Sequence, residues 1–89
     1  MNDLLLMKVK KGLGITGNYQ DDTLLIYIDE VKDFMRRAGV SDAIINSNIS
    51  IGVITRGVSD LWDYGSGSTG LSPYFKERIV QLRAGEKDV

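Results

Sequence analysis

Apolar residues between Leu24 and Ala38 recur three or four positions apart, which is the spacing of one face of an α-helix. The acidic pair Asp21 and Asp22 suits the N-terminal end of such a helix, and Gly39 is a natural stop. A helix with one apolar face needs other elements to cover it, so the chain is expected to fold as a helical bundle. The residues of this face are Leu24, Leu25, Ile28, Val31, Met35 and Ala38.

The charged residues of this long helix lie on its other faces, and their spacing allows ion pairs three or four residues apart. The acidic residues at positions 21, 22, 29, 30 and 33 could be imagined as a cation or acid–base cluster. No glycine-bearing loop offers the spacing of a calcium-binding loop, however, and a solvated helix face explains these residues better. The charged set is Asp29, Lys32, Asp33, Arg36 and Arg37.

The N-terminal segment predicts a short helix that is capped by Asn2 or Asp3 and ends at Gly12. The segment 12–17 then matches the letters of the glycine-rich dinucleotide-binding motif. That motif follows a strand and opens a helix, whereas these glycines follow a helix and no helix opens directly after Gly17. We therefore interpret them as a helix stop and a turn.

A short turn capped by Ser41 precedes a third predicted helix, which starts near Asn46–Asn48. The segment 49–53 also alternates like a strand, and Gly52 and Gly57 each cost a helix about 1 kcal/mol relative to alanine. A lone strand would have no partner, so we prefer the helix and expect both glycines to allow close approach of another helix. Its apolar stripe is Ile51, Ile54, Val58, Leu61 and Trp62.

A glycine- and serine-rich segment, 65–70, predicts a flexible loop before the last helix. Ser72 as N-cap and Pro73 at the first helical position mark the start of that helix, and Gly85 is its expected end. The expected fold is therefore all-α: a small bundle of about four helices, one long and two to three shorter. It forms a single domain over residues 1–85, with a polar tail at 86–89.

The composition excludes most kinds of catalytic site. The 89 residues include no cysteine and no histidine, which removes thiolate metal sites, the commonest general base and the commonest metal ligand. We therefore expect no enzyme and no catalytic, metal-binding or cofactor-binding residue. The apolar runs are much shorter than the ~20 residues that span a bilayer, so we also expect cytoplasmic synthesis and no membrane partner.

Aromatic residues cluster on either side of the glycine- and serine-rich segment. We expect Trp62 and Phe75 to close one end of the core. Tyr64 and Tyr74 have less obvious core positions, and aromatic residues often anchor protein interfaces. Both tyrosines are therefore candidates for an interface.

A helix-turn-helix DNA-binding regulator is the alternative function. Asn46, Ser47 and Asn48 at the start of the third helix are a weak sign of a recognition helix, and Arg56 is its only basic residue. Duplex binding needs several phosphate contacts, and the net charge of the chain is −1.

Several segments together resemble the head–tail connector (adaptor) proteins of tailed bacteriophages. The clearest is Ser59–Leu82, where a D-L-W-D-Y segment is followed by a glycine-rich loop, an L-S-P helix start and R-I-x-Q-L. An opening L-x-x-V-K-K-x-L-G-I and the D-D-x-L-L at the head of the long helix precede it in the same order. The resemblance covers most of residues 3–84.

This resemblance implies a structural virion protein at the head–tail interface, made in the cytoplasm of a bacterial host. It would form a dodecamer-like ring between the portal protein and a downstream neck (stopper) or tail-completion protein, with DNA as non-specific cargo in the channel. Whether the free chain is a monomer stays open. We expect the charged side of the long helix to contact the aromatic region of the next subunit, and the tail from Arg83 to dock on the portal. The candidate interface residues are Asp29, Lys32, Asp33, Arg36, Arg37, Trp62, Tyr64, Tyr74 and Arg83.

Overall fold

The computed structural model describes residues 2–64 and 71–87, with side chains for 4–63 and 71–83. These residues form helices and turns without a strand, so the expected all-α bundle is confirmed. A 3-10 turn, Asn48–Ser50, precedes the fourth helix. The helices are α1 (Asn2–Leu13), α2 (Asp21–Arg37), α3 (Asp42–Ile45), α4 (Ile51–Tyr64) and α5 (Pro73–Lys87).

Helix α4 lies at the centre of the bundle and packs against α1, α2 and α5. Its residues Ile54, Val58 and Leu61 are fully buried, as the apolar stripe predicts. Helix α2 covers them with the predicted apolar face, except that Leu25 and Ala38 are only half-buried. The buried apolar residues are Leu6, Val9, Leu24, Ile28, Val31, Met35, Val40, Ile45, Val53, Ile54, Val58, Leu61, Leu71, Phe75 and Ile79.

The two glycines of α4 have different surroundings. A Cβ atom at Gly57 would lie 2.7 Å from a ring carbon of Phe75 and 2.9 Å from both methyl groups of Val31, so α2 and α5 approach the backbone closely there. A Cβ atom at Gly52 would meet no described atom within 4 Å. The prediction of close helix approach is therefore confirmed at Gly57 and wrong at Gly52, which lies on an exposed side of the helix.

The helix ends depend on backbone conformation more than on the presence of a glycine. Gly39 has φ +96° and ends α2 as predicted, since few side chains tolerate that conformation. The predicted stops at Gly12 and Gly85 are wrong, because α1 continues to Leu13 and α5 to Lys87. The predicted tail at 86–89 therefore overlaps the last residues of α5. The predicted flexible loop at 65–70 lies outside the described residues.

The start of α4 is also later than predicted. Helix α3 and the 3-10 turn occupy the segment before Ile51, and 49–53 is helical rather than extended. Ser41 caps α3 as expected, with its Oγ accepting a hydrogen bond from the Ile44 N–H at 3.3 Å. The carbonyl of Ile44 in turn accepts from the hydroxyls of Ser47 at 2.7 Å and Ser50 at 2.5 Å. These bonds satisfy the carbonyl at the end of α3 and give the hydroxyl of the buried Ser50 an acceptor.

Candidate interaction surfaces

The charged face predicted on α2 is divided in the structure. Asp33 and Arg37 form an exposed ion pair of 2.8 Å, and Asp29 is also exposed. Arg36 instead crosses to α3 and binds Asp42 at 2.7 Å. This hydrogen bond is the main cause that raises the pKa of the Arg36 guanidinium above its ordinary value.

Lys32 does not share that face, because it is half-buried and lines a small cleft of about 60 Å³. The cleft lies between the N-terminal part of α1, helix α2 and the segment that joins α3 to α4. Asn46, Ser47 and Asn48 line it as well, whereas Arg56 lies in a different groove. The residues that suggested a recognition helix are thus divided between this cleft and a separate groove.

An exposed isoleucine interrupts the acidic side of α2. Ile26 is 63% exposed and lies between Asp22 and Asp29, four residues after the first and three before the second. One turn further on, Asp33 continues the same stripe. We call Asp22, Ile26, Asp29 and Asp33 the outer stripe of α2. The sequence already indicates that Ile26 is exposed, since it does not fit the apolar spacing of the buried face.

The aromatic residues take three different positions. Phe75 is buried and packs on Phe34, with ring centroids 5.8 Å apart. Trp62 is 37% exposed and meets Tyr27 edge-to-face at 6.0 Å, so it covers the rim of the core instead of closing it. Tyr74 is exposed beside α4. The side chain of the candidate Tyr64 lies outside the described residues.

A buried carboxylate fixes the start of α5 on α4. Asp60 is 3% exposed, and its Oδ2 accepts from the Ser72 N–H at 3.1 Å and from the Ser72 hydroxyl at 2.7 Å. The Ser72 Oγ also accepts from the Phe75 N–H at 3.2 Å, which makes it the predicted N-cap. Arg56 lies 3.4 Å from Oδ1 of the same carboxylate. The sequence predicted the cap but not the aspartate that holds it, twelve residues earlier.

An open groove of about 460 Å³ runs between the end of α1, helix α4 and the first turns of α5. The guanidinium of Arg56 lies over the Tyr74 ring, 4.9 Å from its centroid, and Arg78 lies one turn after Tyr74 on α5. We call this feature the arginine groove. The sequence indicates this groove through Tyr74 and Arg78, which are four residues apart and therefore lie on one side of α5. Its lining residues are Gly12, Leu13, Gly52, Val53, Thr55, Arg56, Ser59, Tyr74 and Arg78.

The candidate Arg83 is half-buried against the C-terminal end of α2. Its Nε lies 3.0 Å from the position that a Cβ atom would take at Gly39. A cation near the carbonyl end of a helix is favourable, so Arg83 contributes to the bundle itself. The tail that follows it has no described side chain.

Comparison with protein-family models, curated proteins and solved structures finds no match to this chain. Among the described helices, none combines the length and the apolar composition needed to cross a bilayer. The described residues also contain no group of three or more acidic side chains that could hold a metal ion. The surfaces above are therefore interpreted from their own chemistry.

Proposed function

We propose that this chain is a head–tail connector (adaptor) subunit of a tailed bacteriophage, acting as a structural part of the virion. The observation that carries the proposal is the order of its sequence segments, which resembles that family from the opening helix to the last one. The all-helical bundle agrees with the fold that the resemblance implies. The subunits would form a ring between the portal protein and the next neck or tail-completion protein.

The exposed apolar residues support a ring because they lie on different helices. Cyclic assemblies larger than a dimer join one face of a subunit to a different face of the next. Ile26, at 63% exposure, lies on the outer stripe of α2, whereas Trp62, Tyr74 and Val80 belong to α4 and α5. Burial of such residues between subunits contributes roughly 25 cal/mol per Å² before the costs of association. We propose that the outer stripe of α2 contacts the region of Trp62 and Tyr74 on the next subunit.

The overall charge fits a channel that DNA passes through without being retained. The net charge of −1 gives no general attraction to a polyanion. We propose that the C-terminal part of α5 and the residues after it dock on the portal. Val80, which is 62% exposed on α5, is the exposed large apolar residue nearest to that end among the described residues.

A pair of matched isoleucine variants tests the proposed ring contact. Ile26→Asp and Ile49→Asp change residues that are 63% and 62% exposed, so neither should disturb the core. We expect both to fold with a free energy of unfolding within about 0.5 kcal/mol of the unmodified chain. Each variant is mixed with the portal protein and viewed by electron microscopy. The Ile49→Asp chain should form a ring on the portal, whereas the Ile26→Asp chain should form none. Rings with both variants would exclude the outer stripe from the contact.

A further inference from the structure

Packing within the described part of the chain does not require a glycine at position 52. Gly52 lies in the second position of α4, is exposed, and has no described atom within 4 Å of its Cβ position. Gly57 in the same helix has a clear reason, since Val31 and Phe75 pack on it. A bare helix backbone that faces open space allows another chain to approach closely. Gly52 lines the arginine groove, so such an approach would take place there.

The groove also has a definite charge. Arg56 and Arg78 line it, and its described lining residues include no acidic side chain. Asp60, which pairs with Arg56, is itself only 3% exposed, so Arg78 supplies the unpaired charge of the described lining. Arg56 is held in place by the buried Asp60 and by the ring of Tyr74, so little side-chain entropy remains to be lost on binding. Arg78 is exposed and has no ion-pair partner among the described residues. Guanidinium groups in such a position suit carboxylates, which they can bind through two parallel hydrogen bonds.

We propose that the arginine groove binds an acidic segment of a partner protein. The main chain of that segment would pass over Gly52, and its carboxylates would reach Arg56 and Arg78. The groove favours a peptide over a nucleic acid because its described lining offers only two arginines, and because the half-buried Leu13 contributes apolar surface beside them. The groove would take such a segment whether or not the chain is a connector subunit.

The test is an NMR titration of the full ¹⁵N-labelled chain with a short peptide in which glutamates alternate with leucines. A peptide with glutamine at every glutamate position is the neutral control, and a single-stranded oligonucleotide is the phosphate control. We expect the glutamate peptide to shift the amide signals of Gly12, Gly52, Arg56 and Ser59. The glutamine peptide should bind at least about tenfold more weakly, since it loses charge-assisted hydrogen bonds.

Two variants change the groove without removing a contact that holds the fold. Gly52→Gln adds a side chain in open space, and Arg78→Gln removes an exposed cation. Each should weaken binding of the glutamate peptide at least about tenfold. Lys76→Gln is the matched control, because Lys76 is exposed on α5 but does not line the groove, and it should bind as the unmodified chain does.

The results that would overturn the proposal are of three kinds. The first is an absence of shifts at the groove with the glutamate peptide. The second is equal binding of the glutamate and glutamine peptides, or unchanged binding by both Gly52→Gln and Arg78→Gln. The third is tighter binding of the oligonucleotide at the same amides, which would assign the groove to phosphate.

Discussion

The two glycines of α4 allow the same substitution to be made in opposite environments. Replacing glycine by alanine within a helix is worth about 1 kcal/mol of stability when the new methyl group has space. At Gly52 that space is present, so Gly52→Ala should raise the free energy of unfolding by about 1 kcal/mol. For a domain of this size, that gain raises the melting temperature by roughly 4–8 °C.

At Gly57 the same methyl group would lie 2.7 Å from the Phe75 ring and 2.9 Å from both Val31 methyl groups. Neither neighbour can easily move, because both are fully buried and valine has a stiff χ1 angle. Overpacking of a well-filled core costs about 1–3 kcal/mol, and contacts this short belong near the upper end. After the gain in helix propensity, Gly57→Ala should lower the free energy of unfolding by about 1–2 kcal/mol.

The assay is urea unfolding followed by circular dichroism, with both variants measured beside the unmodified chain. The two substitutions should differ by about 2–3 kcal/mol at similar m-values. A Gly57→Ala chain that is as stable as Gly52→Ala would refute the close packing of α2 and α5 on α4.

Three further substitutions test the junction of α4 with α5 and the surface of α2. Asp60→Ala should lower the free energy of unfolding by about 2–3 kcal/mol, because both Ser72 donors lose a buried charged acceptor; unchanged urea unfolding would contradict this. Ser72→Ala should cost about 1 kcal/mol by loss of the N-cap, and combining it with Asp60→Ala should cost less than the sum of the two. Asp33→Asn should change stability by less than about 0.5 kcal/mol, since its ion pair with Arg37 is exposed; a larger loss in the same assay would show that this pair stabilises the bundle.

The sequence predicted the helices where local periodicity decides the structure. The buried face of α2 follows directly from its apolar spacing, and the start of α5 follows from Ser72 and Pro73. The different roles of Gly52 and Gly57 could not be read in the same way, because they depend on which side of α4 meets α2 and α5. The sequence also did not predict that α5 continues through Gly85, where a helix end was expected.

The interaction surfaces were less accessible to prediction because they combine residues that are far apart in the chain. Asp60 meets Ser72 across the segment before α5, which no short motif encodes. The sequence groups Lys32 with the other charges of α2, yet in the structure it is half-buried and lines a cleft. The spacing of Tyr74 and Arg78 did carry information, since residues four apart lie on one side of a helix.

Native mass spectrometry of the chain, alone and mixed with the portal protein from the same genome, tests the proposed connector role most directly. We expect either a ring of the chain by itself or stoichiometric binding to the portal oligomer. A chain that stays a monomer or dimer and does not bind the portal would contradict the role.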